Sequence, residues 1–380
     1  AIAGSAALIV GSSIDPGVYE RRVWPIVGAA FVLLVVVLIP HVGHVAGGSR
    51  RWLQLGPVGL QAGEVIKLAI VIYLAASMAK KRRSVVATHA ASPGSAGRAP
   101  TRAIARIPPK FGVLPYFVLP GIAMVLLLGE PDFGTAVLIA CITFLMLFVG
   151  GARVGTLAGL LALTVPAGVI VVSTSAYRMR RVLAFLDPWA HRYDIGYQIT
   201  ESLMTIGSGG MFGLGLGESK QKLFFLPAAH TDFIFAVIGE ELGFVGIALV
   251  LGCFAVIGVR AMKAALRSSS TFHSLLIIGL ASTLLVQASF NVAVALGLVP
   301  TKGITLPFVS YGGSSLVMSM LCAGVLMRAC ADVLAGVTSS SSSSSSDREG
   351  SGRVERGERT RPITGSIPRP RYVNAREVSP

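Results

Sequence analysis

Three carboxylates stand where a long polar segment gives way to an apolar run. They are Asp232, Glu240 and Glu241, and all lie within the stretch Pro227–Gly243. A carboxylate that enters a helix at membrane depth costs roughly 2.5–3.5 kcal/mol, so it usually faces a polar cavity and marks a functional site. Alternatively, Asp232 only caps the helix, because Thr-Asp before an apolar run is also a helix start signal. The spacing alone leaves both interpretations open.

The composition indicates what kind of protein positions these groups. Among the 380 residues, 53% are hydrophobic and 13% are charged, and the mean hydropathy is +0.72. Soluble domains carry about 25% charged residues, so the sequence predicts an all-α polytopic membrane protein. Much of the net charge of +15 lies in short loops and in the tail, where positive charge sets membrane topology, so it does not indicate nucleic-acid binding.

Apolar runs long enough to cross about 30 Å of hydrocarbon recur along the chain. The complete candidate spans are Val23–Val42, Gln61–Ala79, Phe111–Leu128, Phe133–Val149, Val154–Ser173, Phe233–Val259, Phe272–Val299 and Phe308–Val333. The opening Ala1–Gly11 is too short to span and lacks the basic start of a signal peptide, so we expect it to be the end of a cut helix. The multi-spanning domain is therefore predicted to comprise residues 1–336.

Lysine and arginine in the short connections predict the orientation. The basic segment of about residues 80–110 is predicted to be a cytoplasmic loop, which leaves Gly43–Leu60, the loop of about residues 175–232 and Pro300–Pro307 outside. In the large outer loop, apolar residues at helical spacing over Ile195–Ile206 predict a helix lying at the membrane interface. A serine run followed by mixed Arg and Glu residues predicts that 337–380 is a disordered cytoplasmic tail.

Many cations lie on the side of the membrane that the orientation rule disfavours. They are Arg50, Arg51, Arg178, Arg180, Arg181, Arg192, Lys220, Lys222 and Lys302. Their position suggests an anionic ligand at the outer face, although long loops also cross membranes regardless of charge. In the same loop, the glycine-rich run Ser208–Gly217 allows close backbone approach but lacks the lysine of a phosphate-binding loop.

Two further groups of polar residues admit a structural and a functional interpretation. Glu64 and Lys67 lie three residues apart on one helix face, so they can neutralise each other, or they can line a substrate cavity. Asp132 follows a proline between two apolar runs, where Pro-Asp is typical of a turn. The six histidines show no metal-ligand spacing.

Several motifs, in order along residues 20–330, resemble one bacterial family. They are Gly48–Gly56, Glu64-x-x-Lys67, Glu130–Ala136, Gly196–Gln198, Ile206–Gly210, Pro227–Gly243 and Pro300–Ser315. On these motifs the chain is identified as a member of the shape, elongation, division and sporulation (SEDS) family, the FtsW/RodA/SpoVE proteins, and it is most similar to the division members. The resemblance implies a ten-helix fold, of which the first helix and most of the second are missing here. Two departures are Ala62-Gly63 in place of the common Pro-Ser, and Ala228 in place of the common Glu.

The resemblance also implies an activity, the polymerisation of lipid II into glycan strands at the outer face of the bacterial cytoplasmic membrane, at the division septum. Inversion by single displacement needs a base for the attacking hydroxyl and positive charge for the departing diphosphate. We expect Asp232 to be that base. The residues expected to bind substrate are Arg50, Arg51, Glu64, Lys67, Asp132, Gln198, Lys222, His230, Thr231, Glu240, Lys302 and Ser310.

The chemistry requires no cofactor. A divalent cation, Mg²⁺ or Mn²⁺, could help to bind the diphosphate near Asp132 or Glu240, but the sequence specifies no ligand set. The implied partners are a class B penicillin-binding protein transpeptidase and other membrane proteins of the division apparatus. Two other functions stay open, namely a lipid II flippase or transporter, and a non-catalytic scaffold that recruits a transpeptidase.

Overall fold

The computed structural model describes residues 2–41, 43–46, 49–55, 58–90, 113–219 and 230–351. Most of this backbone is helical. The helices are α1 (Ile2–Ser13), α2 (Pro16–Arg21), α3 (Val23–Leu38), α4 (Ala62–Ala90), α5 (Leu114–Gly129), α6 (Phe133–Val149), α7 (Val154–Ser173), α8 (Ala176–Leu186), α9 (Tyr197–Ser208), α10 (Ile234–Arg267), α11 (Thr271–Ala295) and α12 (Gly313–Ser351). The strands are β1 (Gly43–Ala46), β2 (Ser49–Leu55) and β3 (Val58–Gln61).

Five described helices are long and apolar enough to cross a membrane. They are α7, α10, α11 and the segments Ala62–Ser84 of α4 and Gly313–Ala335 of α12. The apolar helices α1, α3, α5 and α6 are shorter. α6 and α7 have the predicted bounds, whereas α4 continues to Ala90, beyond its predicted end at Ala79. The expectation of a multi-pass helical membrane protein is therefore confirmed.

The centre of the bundle is formed by α4 and α11. Both helices are apolar on nearly every face, and both are largely buried, as expected for helices surrounded by other helices. They pack against each other, α3 and α6 also pack on α4, and α10 pairs with α11. In contrast, most of α7 is exposed, with Leu163 and Val169 among its outward side chains.

Besides the helices, the fold contains a small antiparallel sheet. Its strands pair in the order β1-β2-β3, in which Trp52 pairs with Gln61 and Gly43 pairs with Leu53. The strands lie in the predicted outer loop Gly43–Leu60 and include Gln61, the first residue of the next predicted span, while α3 ends at Leu38, before its predicted end at Val42. The sequence did not reveal the sheet, because two of its three strands have only four residues and carry too little alternation to be recognised.

α9 lies within the predicted large outer loop. The helix has nearly the predicted bounds, but Ile199, Ser202 and Thr205 are buried, and α9 packs on α10 and α11. Ser202 Oγ donates a hydrogen bond to Ala295 O at 2.8 Å. The polar face of α9 is therefore bonded inside the protein, and its position at the membrane interface stays a prediction.

α10 is broken near its start by the glycine-rich segment. Gly243 has φ 65° and ψ −160°, and Leu214 N and Gly215 N donate to Glu240 O and Glu241 O at 2.9 and 3.1 Å. A Cβ atom at Gly213 would lie 2.1 Å from Glu241 O, so only glycine permits this approach. The glycine-rich segment thus donates hydrogen bonds to backbone carbonyls of α10 that lack their helical partners at the break.

The helix α12 extends to Ser351, into the predicted disordered tail. No proline interrupts this part of the sequence before Pro362, and the helix ends one residue after Gly350. Helix termination near a glycine is common, because glycine readily leaves the helical conformation. The rest of the predicted tail, residues 352–380, lies outside the described residues.

Candidate active site at the start of α10

His230, Thr231 and Asp232, which lie shortly before α10, are fixed by hydrogen bonds to their carbonyl groups. Tyr311 N donates to His230 O at 2.9 Å, and Ser310 Oγ donates to Thr231 O at 2.6 Å. Asn291 Nδ2, from α11, donates to Asp232 O at 2.8 Å. The backbone that carries the Asp232 side chain is therefore fixed from two separate parts of the chain.

The Asp232 carboxylate packs against Gly303 in the loop that follows α11. A Cβ atom at Gly303 would lie 3.0 Å from Asp232 Oδ2, so glycine leaves room for the carboxylate here. Burial raises the pKa of Asp232 to about 6, although Arg181, a hydrogen bond from Thr231 and Arg51 all favour the ionised form. A carboxylate with a pKa near neutrality is suited to accept a proton at physiological pH.

Two cations, one from α8 and one from the loop after α11, lie over the Phe133 ring. Lys302 Nζ lies 4.9 Å from the ring centroid and the Arg178 guanidinium carbon lies 5.9 Å from it. Arg181 Nη1 donates to Thr301 O at 2.7 Å. Burial, together with the charges of Arg181, Arg178 and Arg51, lowers the pKa of Lys302 to about 8, and Asp132 opposes that change. In the described part of the chain, none of these three cations forms an ion pair with a carboxylate, so together they make a positively charged surface.

Arg51 extends this surface from the sheet. Its Nη2 donates to Pro131 O at 2.6 Å, and its Nη1 lies 4.0 Å from Asp132 Oδ1. Asp132 is engaged otherwise, because its carboxylate caps α6 through Thr135 N at 3.2 Å and accepts from Thr135 Oγ1 at 2.8 Å. Gln61 Nε2 adds a longer contact of 3.4 Å. Asp132 is thus a turn and capping residue that also anchors Arg51.

Glu130 lies beside Asp132 and is buried, and neither of its carboxylate oxygens has a hydrogen-bond partner among the described residues. Burial, reinforced by the Asp132 charge and opposed by Arg51, raises the pKa of Glu130 to about 8. The raised pKa favours the neutral carboxylic acid, which is the form that is buried at the lower cost.

A second polar group lies inside the bundle. Lys67 Nζ lies 2.9 Å from Glu64 Oε1 and 2.5 Å from Gln287 Oε1, and all three residues are buried. Gln287 Nε2 in turn donates to Thr305 O at 3.1 Å. The structure supports the structural interpretation of Glu64 and Lys67 as an ion pair.

The other residues that were predicted to bind substrate lie in several other parts of the chain. Glu240 accepts a hydrogen bond of 2.5 Å from Ser219 Oγ beside the break in α10, and Gln198 is half-buried on α9. Arg50 belongs to β2, but its side chain is outside the described part of the chain, and Lys222 and Ala228 lie outside the described residues altogether.

Sequence reasoning missed three residues that support the site, Gly303, Asn291 and Gln287. The two amides lie four residues apart in a largely apolar span, and polar side chains at membrane depth are a recognisable signal of function. For Gly303 no signal was available, because only its distance to Asp232 shows the need for glycine.

Comparison with known proteins places this architecture in a family. The family model FTSW_RODA_SPOVE, described as cell cycle protein, matches residues 1–333. The chain belongs to the FtsW/RodA/SpoVE family. The resemblance inferred from the motifs is thereby confirmed.

Curated relatives and solved structures agree with this family. The chain is 41% identical over 327 residues to a probable peptidoglycan glycosyltransferase FtsW of Trichlorobacter lovleyi, covering 86% of this chain and 80% of the relative. It is 40% identical to the protein of that name in Legionella pneumophila, covering 85% and 77%. A chain solved in a study of polymerization and crosslinking by a peptidoglycan synthase complex has a TM-score of 0.65, 28% identity and 87% coverage of both chains. The Thermus thermophilus RodA crystal structure gives a TM-score of 0.58 at 28% identity, covering 87% and 84%.

Proposed function

We propose that this FtsW/RodA/SpoVE member is a peptidoglycan glycosyltransferase that polymerises lipid II, with Asp232 as its general base. The observation that carries the proposal is the position of Asp232. Hydrogen bonds fix the backbone carbonyls of His230, Thr231 and Asp232, the Asp232 carboxylate has a pKa of about 6, and the charges of Arg181 and Arg51 favour its ionised form. The names of the FtsW relatives support the reaction class.

In this reaction the Asp232 carboxylate takes the proton of the attacking sugar hydroxyl. The hydroxyl oxygen forms the new bond to C1 of the second sugar, while the bond from C1 to the polyprenyl diphosphate breaks and its electron pair leaves with the diphosphate. A single displacement of this kind inverts the configuration at C1 and requires no covalent nucleophile. One positioned base contributes typically 10²–10⁴-fold to such a rate.

The cations around Phe133 fit the leaving group. Lys302 and Arg178 lie over the Phe133 ring, Arg181 bonds to Thr301 O, and Arg51 lies beside Asp132. A diphosphate needs such positive charge most as the bond to C1 breaks. Preorganised charge acts strongly here because burial removes the competing water. We assign these four residues to diphosphate binding.

A divalent cation remains a proposal without a defined ligand set. No group of three or more His, Cys, Asp or Glu residues in the described part of the chain could hold one. Asp132 is taken up by Thr135, and Glu240 bonds to Ser219 at the break in α10. The proposed displacement therefore uses only side chains of this protein.

We also propose a place and a partner for the reaction. The catalytic end would face outward from the bacterial cytoplasmic membrane at the division septum, as the lysine and arginine distribution and the FtsW relatives suggest. A class B penicillin-binding protein would cross-link the new strands, in line with the peptidoglycan synthase complex that contains a structural neighbour. Other membrane proteins of the division apparatus would join them.

The test is polymerisation of purified lipid II by the protein together with its cognate penicillin-binding protein. Asp232→Asn should reduce glycan yield at least 10²-fold, since the variant cannot take up the proton. Asp194→Asn, an exposed carboxylate of the same loop, is the matched control and should keep its activity. A normal yield of polymer from Asp232→Asn would show that Asp232 is not the general base. Absence of polymer from the wild type would favour the scaffold or flippase interpretation.

A further inference from the structure

Two amide side chains of α11 hold the loop that packs against Asp232. Gln287 and Asn291 are four residues apart, so they lie one turn apart on one face of the helix. Asn291 Nδ2 donates to Ile304 O at 2.6 Å as well as to Asp232 O, and Gln287 Nε2 donates to Thr305 O. The segment Gly303–Thr305 therefore rests on hydrogen bonds from α11.

Gln287 can perform this role in only one of its two orientations. A glutamine amide has a donor end and an acceptor end, and a rotation about its last bond exchanges them. In the exchanged orientation, the amide oxygen would face Thr305 O, and two acceptors would meet without a proton between them. Correct support of the loop thus depends on something that fixes the amide.

Lys67 fixes the orientation of this amide. An ammonium group carries three donors and no acceptor, so it can contact only the oxygen end of Gln287. Lys67 Nζ lies 2.5 Å from Gln287 Oε1, and Glu64 holds the same ammonium from the preceding turn at 2.9 Å. The ion pair therefore decides that Nε2 of Gln287 points to Thr305.

A contribution to folding stability does not by itself explain a buried pair of this kind. Replacement of buried ion pairs by apolar residues of similar volume is often neutral or stabilising, because desolvation offsets the attraction. Apolar residues cannot fix the direction of a hydrogen bond, whereas here Lys67 donates to Gln287 and Gln287 donates to Thr305, so the bonds run in one direction from Lys67 to the loop. Thr305 Oγ1 and Ser315 Oγ, 2.6 Å apart, continue this chain of hydrogen bonds to the start of α12.

We propose that Gln287 is a positioning residue for glycan transfer, and that the Glu64–Lys67 pair keeps its amide in the orientation that holds Gly303–Thr305 against Asp232. This inference rests on the proposed function, because it assigns to the loop the task of placing the base and Lys302. Gln287 itself acts through the loop and does not touch the substrate.

The test compares two variants that disturb the orientation of the Gln287 amide in different ways. Gln287→Met removes the amide, and Glu64→Gln/Lys67→Met leaves Gln287 in place but removes the charge that orients it. We expect both to lower kcat roughly ten- to a hundredfold with little change in KM for lipid II, since a misplacement of about 1 Å can cost about 10²-fold. The matched control is Ser282→Ala, whose hydroxyl bonds only to Ile278 O of its own helix among the described residues.

A pH profile separates positioning from a merely structural role. When the loop no longer packs against Asp232, water reaches the carboxylate and its pKa falls, so the acidic limb of the rate should move to lower pH. Full turnover with an unmoved acidic limb in either variant would overturn the inference. If Gln287→Met does not fold, Glu64→Gln/Lys67→Met alone tests the inference. This double variant is expected to fold, because it leaves no buried charge unpaired.

Asp232→Asn, measured in parallel, keeps this inference distinct from the proposed function. An active Asp232→Asn protein would overturn the base and the positioning role together. An inactive Asp232→Asn protein beside a fully active Gln287→Met protein would overturn the positioning role alone.

Discussion

The Asp232 cluster and the Glu64–Lys67 group use the same kinds of side chain in two different surroundings. In the bundle, one carboxylate meets one ammonium at 2.9 Å, and a single amide accepts the ammonium's next hydrogen bond. At the start of α10, Asp232 is half-buried, the charges of Arg181 and Arg51 favour its ionised form, and no cation forms an ion pair with it within 4.0 Å among the described residues. The inner group is paired and directed, whereas the outer cluster keeps its charges available.

This difference explains which group can do chemistry. The Glu64–Lys67 pair is buried and its two charges neutralise each other, so we assign it to orienting its neighbours. Asp232 and Lys302 have pKa values displaced toward neutrality by burial, and neither is committed to a strong partner. Four predictions test the contrast, beginning with the largest effect.

Removal of one charge from the inner group should destabilise the fold more than removal of both. Glu64→Gln leaves Lys67 buried without its counter-ion, which should cost about 3–5 kcal/mol of stability. Glu64→Gln/Lys67→Met should lie within about 1 kcal/mol of the wild type, because no charge is left unpaired. Thermal unfolding in detergent measures the stability of both variants. Equal losses of stability in the two proteins would contradict the expectation that the two buried charges compensate each other.

Loss of Lys302 should affect the rate and leave the fold intact. Lys302→Met should lower kcat about 10²-fold, since one preorganised group that stabilises developing charge is typically worth this much. Lys302→Arg keeps the positive charge and should retain more of the rate. A similar rate in all three proteins would remove Lys302 from the diphosphate site.

The wild-type rate should be bell-shaped in pH. Activity is lost as the pH falls through about 6, because Asp232 must be ionised to accept a proton, and is lost again above about 8, because Lys302 must stay protonated. Glu130 also has a pKa of about 8, so two variants are needed to assign the basic limb. The limb should vanish in Lys302→Arg and persist in Glu130→Gln, and the reverse result would assign it to Glu130.

The smallest effect concerns the cation that most strongly favours ionised Asp232. Burial raises the pKa of Asp232 and Arg181 opposes that rise, so Arg181→Gln should move the acidic limb upward by about one pH unit or less. Arg180→Gln is the matched control, because Arg180 lies one residue away on the same helix but is exposed. Equal shifts in the two variants would indicate a general change of surface charge.

Much of the fold could be predicted from apolar runs and local chemistry. The helices α6 and α7 begin and end as expected, and Asp132 caps α6 as its turn sequence suggests. These features depend on neighbouring residues only, so the local sequence contains the necessary information. The break at Gly243 was missed, because it depends on the insertion of a segment about thirty residues earlier in the chain.

The candidate site divides in the same way. The sequence alone identified Asp232, Lys302 and the Glu64–Lys67 pair, because charged groups stand out in a chain that is only 13% charged. Only the tertiary structure brought Gly303 against Asp232 and joined Lys67 to Gln287, which is 220 residues away. Residue type and spacing determine which groups can ionise or pair locally, whereas burial and distant partners, which exist only after folding, decide which groups stay free to react.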